Sequence, residues 1–398
     1  MNLDINTLSS YNLGENNKYM DLRIKRRNTM KLNLFTNIKG LEDEKLHPKV
    51  CLLKNNFQLS SEKKMLIDWT EGLLDKDNKF VREFQETFHS SFWEIYLYKL
   101  FIEADFELDQ SHQMPDFIIK KPQEVYVEAV TANIRKGGKP ENERTMEDQM
   151  SMIIPPYLQI DFYQVLNEGI IRSANAIKGK HKKFVKEYIN REWVKESNPF
   201  VIAIGSFDQI NYGREFIYSM VALLYGMYFN AEQEAYYEKM AIEKPQTGSS
   251  IPIGIFRDSS YEEISAVVFS CTLTLGKLTS LCISNGALSL NDVYNIRQNC
   301  DTNKYLLQVV DTSCPEDIAD GVFVFHNPKA KNNLPENFFK KIAVTQFFFE
   351  DGNLMYSGNV TPIVARLNTG KMFKSVIFPE IQEALRKYNR MNIEDFYE

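Results

Sequence analysis

The sequence predicts an α/β protein, and three observations carry that prediction. Residues 80–101 place apolar side chains at helical spacing (Val81, Phe84, Phe88, Phe92, Ile95), and near Trp93 most faces become apolar, as in a deeply packed helix. Two short β-branched and aromatic runs follow, 117–119 and 125–131. The polar turn Lys120-Lys121-Pro122-Gln123 joins them, so they read as antiparallel strands. A long amphipathic pattern over 158–188 (Phe162, Leu166, Ile170, Ala174, Ile177, Phe184, Tyr188) then feeds the apolar run 199–205, a buried strand.

A chain of 398 residues with 43% hydrophobic content is expected to form one elaborated domain or two. We divide it into an N-terminal extension (1–79), a core (80–275) and a C-terminal α/β elaboration of the same body (276–398). The net charge of −6 argues against a surface coated in positive charge, which leaves a local basic groove as the only route to a polyanion. Five cysteines at wide, irregular intervals read as reduced thiols, which points to the cytoplasm. The polar N-terminus lacks a signal-peptide pattern, and no apolar run approaches the ~20 residues a bilayer requires, so no membrane partner is expected.

Taken in order, the basic cluster Arg23, Lys25, Arg26 and Arg27 precedes an alternating, strand-like stretch, 30–34. It reads as a phosphate-contacting arm or a solvated strand edge. Residues 41–56 show no assignable pattern. Ser60-Ser61-Glu62 opens a helix through Trp69 to Leu74 by serine capping. The loop Arg135-Lys136-Gly137-Gly138-Lys139 lacks phosphate-loop spacing but carries three basic residues. Asp208, after the 199–205 strand, reads as a helix cap. Residues 215–228 read as an apolar helix, 232–243 as a charged helix, 251–256 as an irregular strand and 265–270 as a buried strand extending the sheet. Residues 273–277 read as a turn into another strand and 322–325 as a strand closed by the turn residue His326. Asp351-Gly352 marks a hairpin over 347–356, and 378–388 a final amphipathic helix.

Three carboxylates stand out. Glu128 lies mid-strand, on the same face as Tyr126 and Val130. Glu94 lies where its helix is apolar on most sides, and Asp116 opens a strand after Pro115. Buried carboxylates are costly unless paired or bound to a cation, and we expect the three to meet at one point. All-oxygen ligands select Mg²⁺ or Mn²⁺. The arrangement resembles the restriction-endonuclease-like, or PD-(D/E)XK, nuclease superfamily. Pro115-Asp116 and, twelve residues on, Glu128 fit its motif, and Glu94 matches the acid many members carry on the preceding helix. The resemblance covers roughly residues 84–205. It departs at the motif lysine, whose slot is Val130.

The resemblance implies a mixed central sheet flanked by helices and a metal held by Asp116, Glu128 and Glu94. It also implies hydrolysis of phosphodiester bonds in nucleic acid, DNA ahead of RNA, in the setting of restriction or anti-phage defence. A homodimer or a defence-system protein is the partner it suggests. Because members of the superfamily move the lysine to a neighbouring helix, Lys180 is the expected substitute. It shares the buried stripe of the 158–188 helix, whereas Lys182 and Lys183 rotate away. Arg135, Lys136 and Lys178 stand in reserve. The alternatives are a catalytically inactive nuclease-fold module that binds nucleic acid or assembles with protein, and an interaction protein whose three acids are separately paired structural groups.

Overall fold

The computed structural model describes residues 30–245 and 247–389. The Arg23–Arg27 cluster lies outside them. Nine helices run through the described chain: α1 (Pro48–Asn55), α2 (Ser60–Trp69), α3 (Phe80–Thr87), α4 (His89–Glu103), α5 (Met146–Met150), α6 (Phe162–Lys183), α7 (Tyr218–Tyr225), α8 (Leu275–Ser284) and α9 (Lys374–Asn389). The strands up to the middle of the chain are β1 (Glu107–Asp109), β2 (Phe117–Lys121), β3 (Val125–Thr131), β4 (Phe200–Gly205), β5 (Met227–Asn230), β6 (Ala235–Glu238), β7 (Ala241–Glu243) and β8 (Ser250–Pro252). They are followed by β9 (Ile264–Ser270), β10 (Asn291–Gln298), β11 (Tyr305–Val309), β12 (Phe323–His326), β13 (Thr345–Glu350), β14 (Asn353–Gly358) and β15 (Ile363–Gly370).

The protein is α/β, built on an eight-stranded mixed sheet in the order β1-β2-β3-β4-β9-β12-β13-β14. The short hairpin turn makes β2 and β3 antiparallel, whereas β3 and β4 are parallel because α6 lies between them in the chain. β9 continues parallel to β4, and β12 reverses. Alternation along β4 separates two cores. Phe200, Ile202 and Ile204 face the layer containing α6 and α7, while Val201 and Ala203 face the layer containing α4. A second sheet, β11-β10-β15, is covered in part by α9, whose Phe378 ring lies 5.9 Å from that of Tyr294. No helix among the described residues is long and apolar enough to cross a membrane.

Several local expectations give way. Residues 80–101 form two helices, because Phe88 adopts φ 50° between α3 and α4. Its ring is fully buried and stacks on Phe92 and His47 at 5.1 and 5.4 Å, so packing holds a backbone that local preference disfavours. Residues 30–34 are not a strand. Leu32 N–H donates to Thr70 Oγ1, and Gln85 Nε2 donates to the carbonyls of Leu34 and Thr36, so side chains satisfy this backbone. Helix α2 ends at Trp69 and has no side-chain cap. Its first turn continues a 3-10 turn whose N–H is held by Asn56. The unassigned stretch contains α1, capped by His47. Residues 232–243 form β6 and β7 rather than a helix, and α7 is shorter than expected and passes into β5. Residues 275–284 are a helix capped by Thr274, not a turn into a strand. Of the expected 251–256 strand only residues 251 and 252 are in a strand, the end of β8. His326 ends β12, with Nε2 3.0 Å from Gln346 Oε1.

Candidate active site

The site forms where β2 and β3 meet the last turns of α6. Phe117 pairs with Val127, so Asp116, one residue before β2, lies opposite Glu128. Asp116 Oδ2 accepts a 2.7 Å hydrogen bond from Ala129 N–H, which fixes the aspartate against β3. Asp116 N–H donates to Glu128 Oε2 at 3.4 Å. The two carboxylates are thus held beside each other by backbone rather than by rotamer choice alone.

Glu128 is completely buried, with β2 and β4 on either side of its strand. Its Oε1 accepts from Lys180 Nζ at 2.8 Å, Tyr188 OH at 2.9 Å and Lys183 Nζ at 3.3 Å. Lys180 and Lys183 are neighbours on α6 at i,i+3 spacing. The reading that Lys183 rotates away is therefore incorrect, because its long stem carries the amine back to the carboxylate. Tyr188 arrives differently. The helix continues beyond Lys183 as a π-helical turn, Phe184–Tyr188. Eight residues of straight α-helix would turn Tyr188 about 80° from the Lys180 face. A π turn rotates less per residue and cancels much of that offset.

Glu94, on α4, is half-buried and shares a cavity of about 300 Å³ with Asp116 and Lys76. Burial and then the Asp116 charge push the Glu94 carboxyl up to about 8. Burial and Glu128 push Asp116 up to about 6, against the opposing pull of Lys180 and the Ala129 N–H. Burial alone would lower the Lys180 amine, but Glu128, Asp116 and Glu94 carry it above its ordinary value. Lys76 Nζ donates to the Asp116 carbonyl at 3.2 Å, and burial lowers its pKa. Burial and Glu128 raise Tyr188 strongly, which keeps its phenol protonated as a donor.

Among the described residues no group of three or more His, Cys, Asp or Glu side chains is gathered to hold a metal ion. Asp116 and Glu128 form a pair, and Glu94 faces the cavity on Asp116's side rather than completing a three-carboxylate cage. A pair still suits Mg²⁺, which commonly takes one or two carboxylates and completes its shell with water and substrate phosphate. The donor set fits such an ion: all oxygen, mutually repelling and desolvated.

On the α6 side, Val130, two residues after Glu128, lines a groove of about 620 Å³ with Arg135, Lys136, Lys180, Lys183 and Lys244. Of the reserve cations, Arg135 is exposed and pairs with Glu168 at 3.3 Å, and Lys178 is exposed. Asp208 does not cap a helix. Its Oδ2 accepts from Ile134 N–H at 3.0 Å, behind the basic loop, and it lies 3.7 Å from Arg172. Arg172 in turn donates to both oxygens of the buried Glu215, at 3.3 and 3.1 Å. Sequence reasoning did not single out Tyr188 or Lys76. Tyr188 carried a signal, since a hydroxyl at the end of a buried stripe needs a partner. Lys76 lies in a loop and carried none.

The chain matches no family model, and comparison with curated proteins and with solved structures gives no significant match.

Proposed function

We propose that this protein is a metal-dependent phosphodiester hydrolase acting on nucleic acid, DNA ahead of RNA, with a restriction-endonuclease-like core. One observation carries the reading. The Lys180 amine, from a helix, sits 2.8 Å from a fully buried Glu128 whose neighbour across the strand pair is Asp116. That places a cation where the strand itself offers only Val130.

Asp116 and Glu128 would hold Mg²⁺ or Mn²⁺, with Glu94 at the outer side of Asp116. When bound, such an ion supplies Lewis acidity toward a phosphate oxygen and lowers the pKa of a water. The chain's own groups do the rest. The Ala129 N–H keeps Asp116 from swinging away. Tyr188 and Lys183 hold the Glu128 carboxylate in one orientation. Lys180, still charged at neutral pH, offers its ammonium to negative charge that develops on a phosphoryl group in the groove. Arg135, Lys136 and Lys244 line that groove and would take flanking phosphates, a local basic track on a chain of net charge −6.

A second reading, a nuclease-fold binding module without catalysis, is favoured by one feature: Glu128 Oε1 already accepts three donors. Nicking of supercoiled plasmid across Mg²⁺, Mn²⁺ and Ca²⁺ separates the two. The hydrolase reading requires cleavage with Mg²⁺ or Mn²⁺ that disappears in folded Asp116→Ala and Glu128→Ala. DNA binding with no cleavage under any metal leaves the binding module, and cleavage that persists in both variants removes the site.

A further inference from the structure

Where the second sheet meets the outer edge of the first, a cavity of about 250 Å³ opens among aromatic rings. Its walls come from well-separated parts of the chain: the turn before α6, the start of α7 with the β5–β6 hairpin, the end of β10 with the loop after it, and strands β13 and β14. We propose that this cavity binds a small organic cation, a methylated or quaternary ammonium, enclosed by its rings and one carboxylate.

Charge is the first argument. Among the described residues the wall carries one charged side chain, Glu234, and no lysine, arginine or histidine. A phosphate or carboxylate ligand would find no cation there. Tyr356, also in the wall, donates its hydroxyl to Asp301, which brings a second carboxylate to the same side of the cavity.

Ring geometry is the second argument. Phe229 lies at the centre of the wall, with the rings of Tyr218, Tyr236 and Tyr157 at 4.7, 5.0 and 5.6 Å from it. They are turned from the Phe229 plane by 47°, 74° and 59°. Rings set at such angles cannot all stack on one flat ligand, but they can wall a rounded one. Each ring face is negative, and an aromatic enclosure of this kind is the way quaternary ammonium groups are recognised. Burial, then the neighbouring tyrosines and Glu234, raise Tyr218 well above its ordinary pKa, so its phenol stays neutral. The rings hold one another in place, so little ordering remains for the ligand to impose.

Access is the third argument. Tyr157, Tyr236 and Tyr356 are half-buried, and Glu234 is exposed on the β5–β6 turn, so the groups that attract a cation are reachable from solvent. Phe216, Tyr218, Phe229 and Phe347 are buried and supply the apolar floor that methyl groups require. The volume lies below the usual range of roughly 300–1,000 Å³ for drug-sized ligands, which fits a small ammonium compound. The proposal does not rest on the hydrolase reading.

The test is calorimetric titration of the full chain with choline, with ionic strength held constant by sodium chloride. Parallel arms use dimethylbutanol, in which carbon replaces the ammonium nitrogen, and ethanolamine, which lacks the methyl groups. Choline should bind at one saturable site, at least about tenfold more tightly than its uncharged isostere, the scale of a desolvated cation held by rings. Ethanolamine should bind more weakly than choline, because it cannot fill the apolar floor. Glu234→Gln, an exposed change, should weaken choline severalfold and leave the isostere unaffected. Tyr236→Phe should keep choline binding, since it retains the ring, whereas Tyr236→Leu and Tyr356→Leu should each weaken it. Absence of saturable choline binding up to roughly 10 mM, an isostere that binds as tightly as choline, tighter binding of ethanolamine, or unchanged affinity in both Glu234→Gln and Tyr356→Leu overturns the assignment.

Discussion

Glu94→Gln replaces the most perturbed carboxyl of the site with a neutral group of the same shape. Glu94 is pushed from 4.5 to about 8, first by burial and then by Asp116. An acid whose folded pKa is raised binds its proton more tightly in the folded state. It therefore costs no stability below the unfolded value and an increasing amount as pH rises from 4.5 toward 8. At 1.36 kcal/mol per unit the ceiling is about 5 kcal/mol. The buried glutamine amide brings a cost of its own, about 1–3 kcal/mol if incompletely bonded. A net stabilisation of about 2–3 kcal/mol at pH 8 is expected. With an unfolding entropy near 2.1 cal/mol/K per residue, that raises the midpoint by roughly 3 °C. The assay is thermal unfolding by circular dichroism at pH 4.5, 6 and 8, with chelator present. The variant should lie below the parent at pH 4.5 by that amide cost, about 1–3 kcal/mol, and should overtake it as pH rises toward 8. A variant no more stable at pH 8 than at pH 4.5, relative to the parent, refutes the claim that Glu94 is a strained, desolvated acid.

Four further outcomes follow from named contacts. Lys180→Met should lower single-turnover cleavage by roughly 100-fold or more, the scale for removing a charge-stabilising donor. Lys183→Met, whose amine sits at 3.3 Å rather than 2.8 Å from Glu128, should cost distinctly less; the reverse order would transfer the proposed role to Lys183. Arg172→Gln leaves the buried Glu215 carboxylate without its cation and should destabilise by about 3–5 kcal/mol. In urea denaturation, Arg172→Met with Glu215→Leu should recover much of that. Arg135→Gln and Lys136→Gln should each reduce the slope of log affinity against log salt for DNA by about one; an unchanged slope in both removes the groove from the substrate path. Because the Asp116 carboxyl holds its proton up to about 6, Mn²⁺ affinity should rise as pH increases through that value. A flat profile from pH 5 to 7, read by titration, would exclude Asp116 as a ligand.

How far the sequence reaches can be seen residue by residue. The hairpin at Asp351-Gly352 is legible because both positions need positive φ, and both have it, at 49° and 80°. β4, and β9 over its residues 266–269, are legible as apolar runs, since both faces of their strands are covered. The position of Lys180 near Glu128 is expected on two grounds: the resemblance asks for a lysine on the neighbouring helix, and a lysine on a buried stripe and a glutamate in a buried strand each need a partner. Helix α8 was missed although Leu278, Leu281 and Cys282 sit at helical spacing behind a threonine cap. Gly276, a turn former by local chemistry, masks that signal. The break at Phe88 carries no glycine or proline. The ring of His47, stacked on Phe88 from a distant segment, adds packing that no local pattern around Phe88 displays. Tyr188 depended on a π-helical turn, which straight helical geometry cannot anticipate. The Lys183 contact on the same carboxylate oxygen is likewise a product of tertiary packing, since helical spacing alone turns that residue away.

The claim that Asp116 and Glu128 together hold a divalent cation is open to one direct measurement, the loss of free Mn²⁺ signal by electron paramagnetic resonance as the full chain is titrated in. The parent should show a saturable site that is lost in folded Asp116→Asn and in folded Glu128→Gln, and the same parent sample should nick plasmid only when Mn²⁺ or Mg²⁺ is present. Free Mn²⁺ that stays undiminished at millimolar protein, or binding that survives both substitutions, contradicts it.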